Sequence, residues 1–86
     1  MADTLTVSVI SPEATVFQGT ADMIVAPAWD GEVGVMRGHA PMLVLLGEGD
    51  VRVKTGSGEQ RFHIGGGFMQ VVDDTVTILS ERAAQA

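Results

Sequence analysis

Residues 30–46 read DGEVGVMRGHAPMLVLL, and this stretch decides the fold. Its first half sets Gly31, Gly34 and Gly38 among apolar Val33, Val35 and Met36 and charged Asp30, Glu32 and Arg37. Closely spaced glycines permit positive φ or close backbone approach. Pro41 fixes its own φ, lacks an N–H donor and pushes Ala40 towards extended geometry. The longest apolar run of the chain, Met42 to Leu46, follows at once. The pattern predicts a short strand, a constrained corner at Gly38-His39-Ala40-Pro41, and then a buried strand.

The flanking sequence predicts strands that pack around this corner. Leu5, Val7 and Val9 alternate with Thr4, Thr6 and Ser8, a period of two with one face buried and one wet. Short strands follow over 14–18 and 21–28, with Pro27 confining the second to an edge or a turn. Val51 and Val53 alternate with Arg52 and Lys54, and Phe62 and Ile64 with Arg61 and His63, around the loop Thr55-Gly56-Ser57-Gly58. That is a hairpin signature. Gly65-Gly66-Gly67 precedes a strand over 68–72, Asp73-Asp74 turns, and the last strand sets Val76 and Ile78 opposite Thr75, Thr77 and Leu79. Ser80 has the chemistry of a helix cap, but the seven residues from it are too few for a helix to stand alone. No apolar period of 3.6 runs long enough for a packed helix. The expected fold is all-β: a flattened β-sandwich or barrel of about nine to ten short, mostly antiparallel strands.

Bulk properties narrow the function. A chain of 86 residues is one domain, and at this size folding buries only about 60% of the unfolded surface. There is no cysteine to staple it. The net charge of −6, from 5 basic and 11 acidic residues, opposes nucleic-acid binding, which relies on clustered Lys and Arg. The N-terminus lacks the basic segment of a signal peptide. Met42 to Leu46 is far shorter than the ~20 apolar residues that span a bilayer.

Reactive groups are sparse. Ser8, Ser11, Ser57 and Ser80 stand in no G-x-S-x-G motif. Gly65-Gly66-Gly67 lacks the Lys-Ser/Thr and the helix of a phosphate cradle, and reads as a bulge or close strand crossing. Asp73-Asp74 and Asp30/Glu32 lie at turns, where carboxylates are solvated. No catalytic, cofactor-binding or metal-binding residue and no small-molecule substrate is expected. The alternative is a cupin-like metal or ligand-binding module using His39 and His63, although such sites favour three histidines and a carboxylate at close spacing. More telling is an apolar excess: Phe17, Met23, Trp29, Met36, Met42, Phe68 and Met69. Roughly two thirds of these belong in a core; the rest form an exposed patch of the kind that marks a protein interface.

Gly31-Glu32-Val33-Gly34, Gly38-His39-Ala40-Pro41-Met42-Leu43, Gly66-Gly67-Phe68-Met69-Gln70-Val71 and Val76-Thr77-Ile78-Leu79 occur in one order. Together with Val9-Ile10-Ser11-Pro12-Glu13 and Phe17-Gln18-Gly19, they resemble the ε subunit of the F-type ATP synthase. The likeness implies an N-terminal β-sandwich followed by a C-terminal helical hairpin. By this likeness residues 1–82 correspond to the sandwich and 83–86 to a short C-terminal tail, with the helical hairpin expected to be absent. It further implies a non-catalytic part of the rotating central stalk, without cofactor, coupling proton flow to ATP synthesis. Its partners are the γ subunit and the ring of c subunits. Its expected location is peripheral, on the cytoplasmic face of the cell membrane, without direct insertion. By resemblance, His39, Ala40, Pro41, Met42 and Leu43 face γ, and Asp30, Gly31 and Glu32 meet the c-ring. Gly34, Gly38, Gly66, Gly67 and Phe68 correspond to structural positions.

Overall fold

The computed structural model describes residues 4–86, which form eight β-strands and no helix. These are β1 (Leu5–Ile10), β2 (Thr15–Ala21), β3 (Met23–Ala28), β4 (Gly31–Met36), β5 (Met42–Thr55), β6 (Gly58–Val72), β7 (Thr75–Leu79) and β8 (Ala83–Gln85). Hydrogen bonding links them in the order β2-β1-β7-β6-β5-β3-β4, with β8 on β6. Among the described strands only β1 and β7 pair in parallel. The all-β expectation holds. Eight strands replace the nine or ten expected because two pairs of short runs are continuous and β8 is added at the C-terminus. Residues 42–46 and 51–54 belong to β5, and 60–64 and 68–72 to β6.

These two long strands fold the sheet into layers. Along β5, Leu46 is buried with Met42 and Val44 half-buried, and Leu43 and Leu45 face out; beyond the glycines, Val51 and Val53 take the core side. Along β6, Phe62 and Ile64 are buried first, then Met69 and Val71. In a strand successive side chains alternate faces, so an odd spacing between buried residues exchanges the faces. The pairing register is nevertheless the same from Met42↔Val71 to Thr55↔Gly58. The ladder therefore turns over where residues 46–49 face residues 64–67, a stretch holding Gly47 and Gly49 on one strand and Gly65-Gly66-Gly67 on the other, a use of glycine typical of tight sheet bends. One layer holds β2, β1, β7, the C-terminal part of β6 and the N-terminal part of β5. The other holds the remaining parts of β6 and β5 with β3, β4 and β8. Phe17 on β2 meets Phe62 on β6 across the layers, with ring centroids 5.2 Å apart. A single core lies between them, with Leu5, Val7, Val9, Ile24, Val35, Val53, Met69, Val76 and Ile78 all fully buried.

Gly67 shows why the bend needs glycine. Its φ is 135°, and a Cβ there would collide with the Leu79 carbonyl oxygen and come within 2.9 Å of Ser80 Cα. At Gly65, a Cβ would lie 3.2 Å from Arg82 Nε, while the Gly65 N–H donates to the Arg82 carbonyl at 3.0 Å. The third glycine thus makes room for the Arg82 side chain. The Ser80 hydroxyl donates to the Arg82 carbonyl at 2.7 Å, and the Arg82 N–H lies 3.3 Å from Ser80 Oγ. This local turn leads into β8, which pairs with Phe62–Ile64 on β6.

Candidate functional site

The two outer faces of the sandwich differ in kind. On the layer containing β7, the register places Leu45, Phe68 and Leu79 side by side across β5, β6 and β7, with Ile10 of β1 next in the row. Leu45 is 49%, Phe68 51% and Leu79 50% exposed, and neighbouring Leu43 is 70% exposed. Val72 extends the patch towards the corner, where Pro41, Met42, Leu43, Gln70 and Val72 line a shallow depression. At the end of the row, Ile10, Ser11, Pro12, Gly67, Phe68, Leu79, Ser80 and Glu81 line an apolar cleft of about 300 Å³. The run Met42–Leu46, expected as a buried strand, is therefore buried on one face only. Its alternate residues stand in solvent, as an interface would require.

The opposite outer face is charged and internally paired. Arg52 Nη2 lies 3.4 Å from Glu32 Oε1, and Arg61 Nε lies 2.8 Å from Glu59 Oε2. His63 stands between two carboxylates, with Nδ1 2.9 Å from Asp50 Oδ1 and Nε2 3.4 Å from Glu48 Oε2. Hydrogen bonds to Asp50 and then to Glu48 raise the His63 pKa above its ordinary 6.5. Each of these pairs is exposed, so each adds little to stability.

The positions singled out by resemblance fall in three places. Asp30 lies in the Trp29-Asp30 turn between β3 and β4, with exposed Gly31 and Glu32 opening β4. The Trp29 N–H donates to the Leu45 carbonyl at 3.1 Å, which holds this turn beside the apolar row; Trp29 itself is 69% exposed. Glu32 is paired with Arg52, whereas Asp30 has no side-chain partner among the described residues. The corner residues Gly38 to Pro41 carry the chain from one layer to the other. His39 donates from its Nδ1 to the Ala40 carbonyl at 2.7 Å, and its N–H donates to the Met36 carbonyl at 3.2 Å. Leu43 alone of the five corner positions stands high on the apolar face. Gly34 faces the Met23 methyl, which a Cβ would approach to 3.0 Å. Phe68, grouped with the structural positions by resemblance, stands outward in the middle of the patch.

Three members of the patch, Leu45, Val72 and Leu79, were missed from sequence. The signal for Leu79 was present: it shares a face with Thr75 and Thr77, opposite Val76 and Ile78. An apolar side chain on a wet face is the mark of a contact surface. The face of Leu45 depends on the turnover of β5, which no local pattern announces.

Comparison with known proteins gives one consistent result. Residues 4–86 match the family described as ATP synthase, Delta/Epsilon chain, beta-sandwich domain. An ATP synthase epsilon chain of Rhodopirellula baltica is 48% identical over 75 residues, covering 87% of this chain and 59% of that protein. An ATP synthase epsilon chain of Frankia casuarinae is 49% identical over 78 residues, covering 90% of this chain and 92% of that protein. The fold resembles a chain in the Euglena gracilis mitochondrial ATP synthase, OSCP/F1/c-ring in rotational state 1, with a TM-score of 0.89 at 24% identity. That match covers 99% of this chain and 55% of the other. Against the Rhodopirellula and Euglena proteins, this chain spans little more than half of the full length. On a family match across all the described residues, the chain belongs to the β-sandwich family of ATP synthase delta and epsilon chains.

Proposed function

We propose that this chain is a rotor element of the ATP synthase central stalk, attached to the γ subunit by the outer face of β5, β6 and β7. The observation that carries this reading is the exposed row Leu45–Phe68–Leu79 with Leu43 beside it. A charged outer face opposite gives the sandwich one sticky side and one wet side, which suits attachment to a single neighbour. The corner residues Pro41 and Leu43 form one margin of that contact. The Asp30-Gly31-Glu32 turn meets the c-ring, with Asp30 supplying the unpaired charge. The subunit then couples proton translocation to ATP synthesis from a peripheral position on the cytoplasmic side of the membrane. The relatives' names and the c-ring assembly containing the Euglena chain support this reading.

The metal-binding alternative has no observation in its favour. His39 donates to its own corner, and His63 is engaged by two carboxylates on the outer face of the other layer. Among the described residues, no three His, Asp or Glu side chains are grouped as metal ligands.

The test is binding of the purified chain to a γ-containing catalytic sector of ATP synthase, with ATPase activity followed alongside. One-to-one binding that falls at least about tenfold in Leu45→Asp and Phe68→Asp supports the reading, since a charge in an apolar contact is left unpaired. Equal binding by these variants overturns it for this face. Asp30→Lys is expected to retain binding to the catalytic sector and to weaken attachment to the c-ring.

A further inference from the structure

The cleft at the end of the apolar row differs from the row itself. The row is flat; the cleft is concave, lined by Ile10, Pro12, Phe68 and Leu79, with about 300 Å³ of space. That volume accommodates large apolar side chains of a partner. Its two serine hydroxyls are already committed, Ser11 Oγ–H to the Ala14 carbonyl at 3.2 Å and Ser80 Oγ–H to the Arg82 carbonyl at 2.7 Å. What remains on the wall is Glu81, exposed and without a side-chain partner among the described residues. Glu81 also borders the neighbouring depression, whose wall includes Glu13, Glu48, His63 and Arg82, and neither Glu13 nor Glu81 pairs with the Arg82 guanidinium among the described residues. The other three glutamates, Glu32, Glu48 and Glu59, each face a cationic or titratable partner. An apolar hollow beside two unanswered carboxylates, on a chain of net charge −6, calls for an apolar group with a cation next to it.

We infer that this cleft is the anchor point of the γ contact, receiving large apolar side chains of a γ segment whose adjacent Lys or Arg pairs with Glu81. The inference rests on the reading that the apolar face binds γ, and it deepens that reading. Continuity favours a protein segment over a small hydrophobic cation. Phe68 and Leu79 belong both to the cleft and to the flat row, so an occupant confined to the cleft leaves Leu43 and Leu45 uncovered. Buried anchors filling pockets dominate most interfaces, and the surrounding flat contact mainly excludes water.

The experiment is a titration of the full chain and its variants against the γ-containing catalytic sector at low and high salt. Glu81→Lys is expected to weaken binding at least about tenfold at low salt, because it sets like charges together, and by less at high salt, where the charges are screened. Leu79→Ser is expected to weaken binding by a similar factor at both salt concentrations. Glu59→Lys, on the charged outer face, is expected to leave affinity unchanged. All three positions are exposed, and matching urea midpoints confirm that the variants fold. If Glu81→Lys and Leu79→Ser bind like the parent while Leu45→Asp does not, the anchor is wrong and γ binding by the face stands. If the parent chain does not bind, or Leu45→Asp binds fully, the reading of the face fails and the anchor falls with it.

Discussion

The backbone N–H of Gly38 donates to the carboxylate of Asp74 at 2.7 Å, across 36 positions of sequence. Asp74 also accepts from the Thr6 N–H at its backbone carbonyl, 2.9 Å away. It holds φ at 59°, after Asp73 at 50°, in the two-residue turn that joins β6 to β7. Two successive positive φ values match the twist of a tight hairpin, and Asp tolerates them better than most residues. One residue therefore sets a turn, receives the start of β1 and ties down the corner that leads into β5.

Asp74→Gly keeps the turn geometry and removes the acceptor; about 1 kcal/mol of stability is expected to be lost. Asp74→Ala loses the acceptor and also the tolerance of Asp for positive φ, for about 2 kcal/mol in total. Urea unfolding of the two variants separates the contributions. Equal stability of both with the parent excludes the tie as a structural element.

At Gly67 the obstacle is backbone. Gly67→Ala directs a methyl group at the Leu79 carbonyl and Ser80 Cα, from a φ of 135°. A loss of about 3 kcal/mol or more is expected, by strain and by separation of β6 from β7. For a chain of this size that is a large share of total stability. Gly58, with nothing within 4 Å of a notional Cβ, is the comparison that isolates the steric part, because its φ of 147° is also positive.

The core prediction concerns the two rings that bridge the layers. Phe62 is 1% exposed and packs on Phe17. Phe62→Ala is expected to cost about 3–5 kcal/mol. A midpoint shift worth less than 1 kcal/mol, set by the same scale, means the layers close over the gap.

His63 gives a pH signature. Asp50 first, and Glu48 second, hold its pKa above 6.5 in the folded chain. A raised folded pKa means protonation favours the folded state. The contribution is complete below the ordinary value and disappears as pH rises through the folded pKa, above 6.5. Urea midpoints are expected to decline across that window, and His63→Gln to remove this component of the decline. The effect is small because the ring is exposed. An unchanged slope in His63→Gln excludes the assignment.

The apolar face predicts behaviour of the free chain. Leu45→Thr with Phe68→Gln is expected to change stability by no more than about 0.5 kcal/mol, since both side chains stand outward. Sedimentation at high concentration is expected to show association in the parent and less in the double variant. If both sediment alike, the face has no tendency to pair with itself.

Much of this was legible in the sequence, and the illegible part has a common cause. Alternation identified the core sides of β1 and β7, and the loop at Gly56-Ser57 identified the β5–β6 hairpin. Asp73-Asp74 was readable as a turn because those residues tolerate positive φ. Gly47-Glu48-Gly49-Asp50 has the composition of a turn yet lies in the middle of a 14-residue strand. Glycine weakens a strand locally, but here thirteen pairings with β6 carry the chain through. The exposure of Leu43 and Leu45 depends on that long-range ladder. The same holds at the C-terminus, where β8 exists only because Phe62–Ile64 offers an edge. Asp30-Gly31-Glu32 is an exposed acidic opening to β4, as its composition suggested, yet the Arg52 partner of Glu32 lies 20 positions away and no motif records it.

The continuity of β5 and β6 through the bend has a mechanical meaning. In a sandwich joined only by loops, the two layers can slide past each other by repacking side chains. Here two adjacent, mutually hydrogen-bonded strands run from one layer into the other. Sliding must stretch covalent backbone or tear the ladder between them. A sideways load entering through Leu45 and Phe68 is thus delivered along main chain to Val51 and Phe62, so the domain behaves as a stiff bracket.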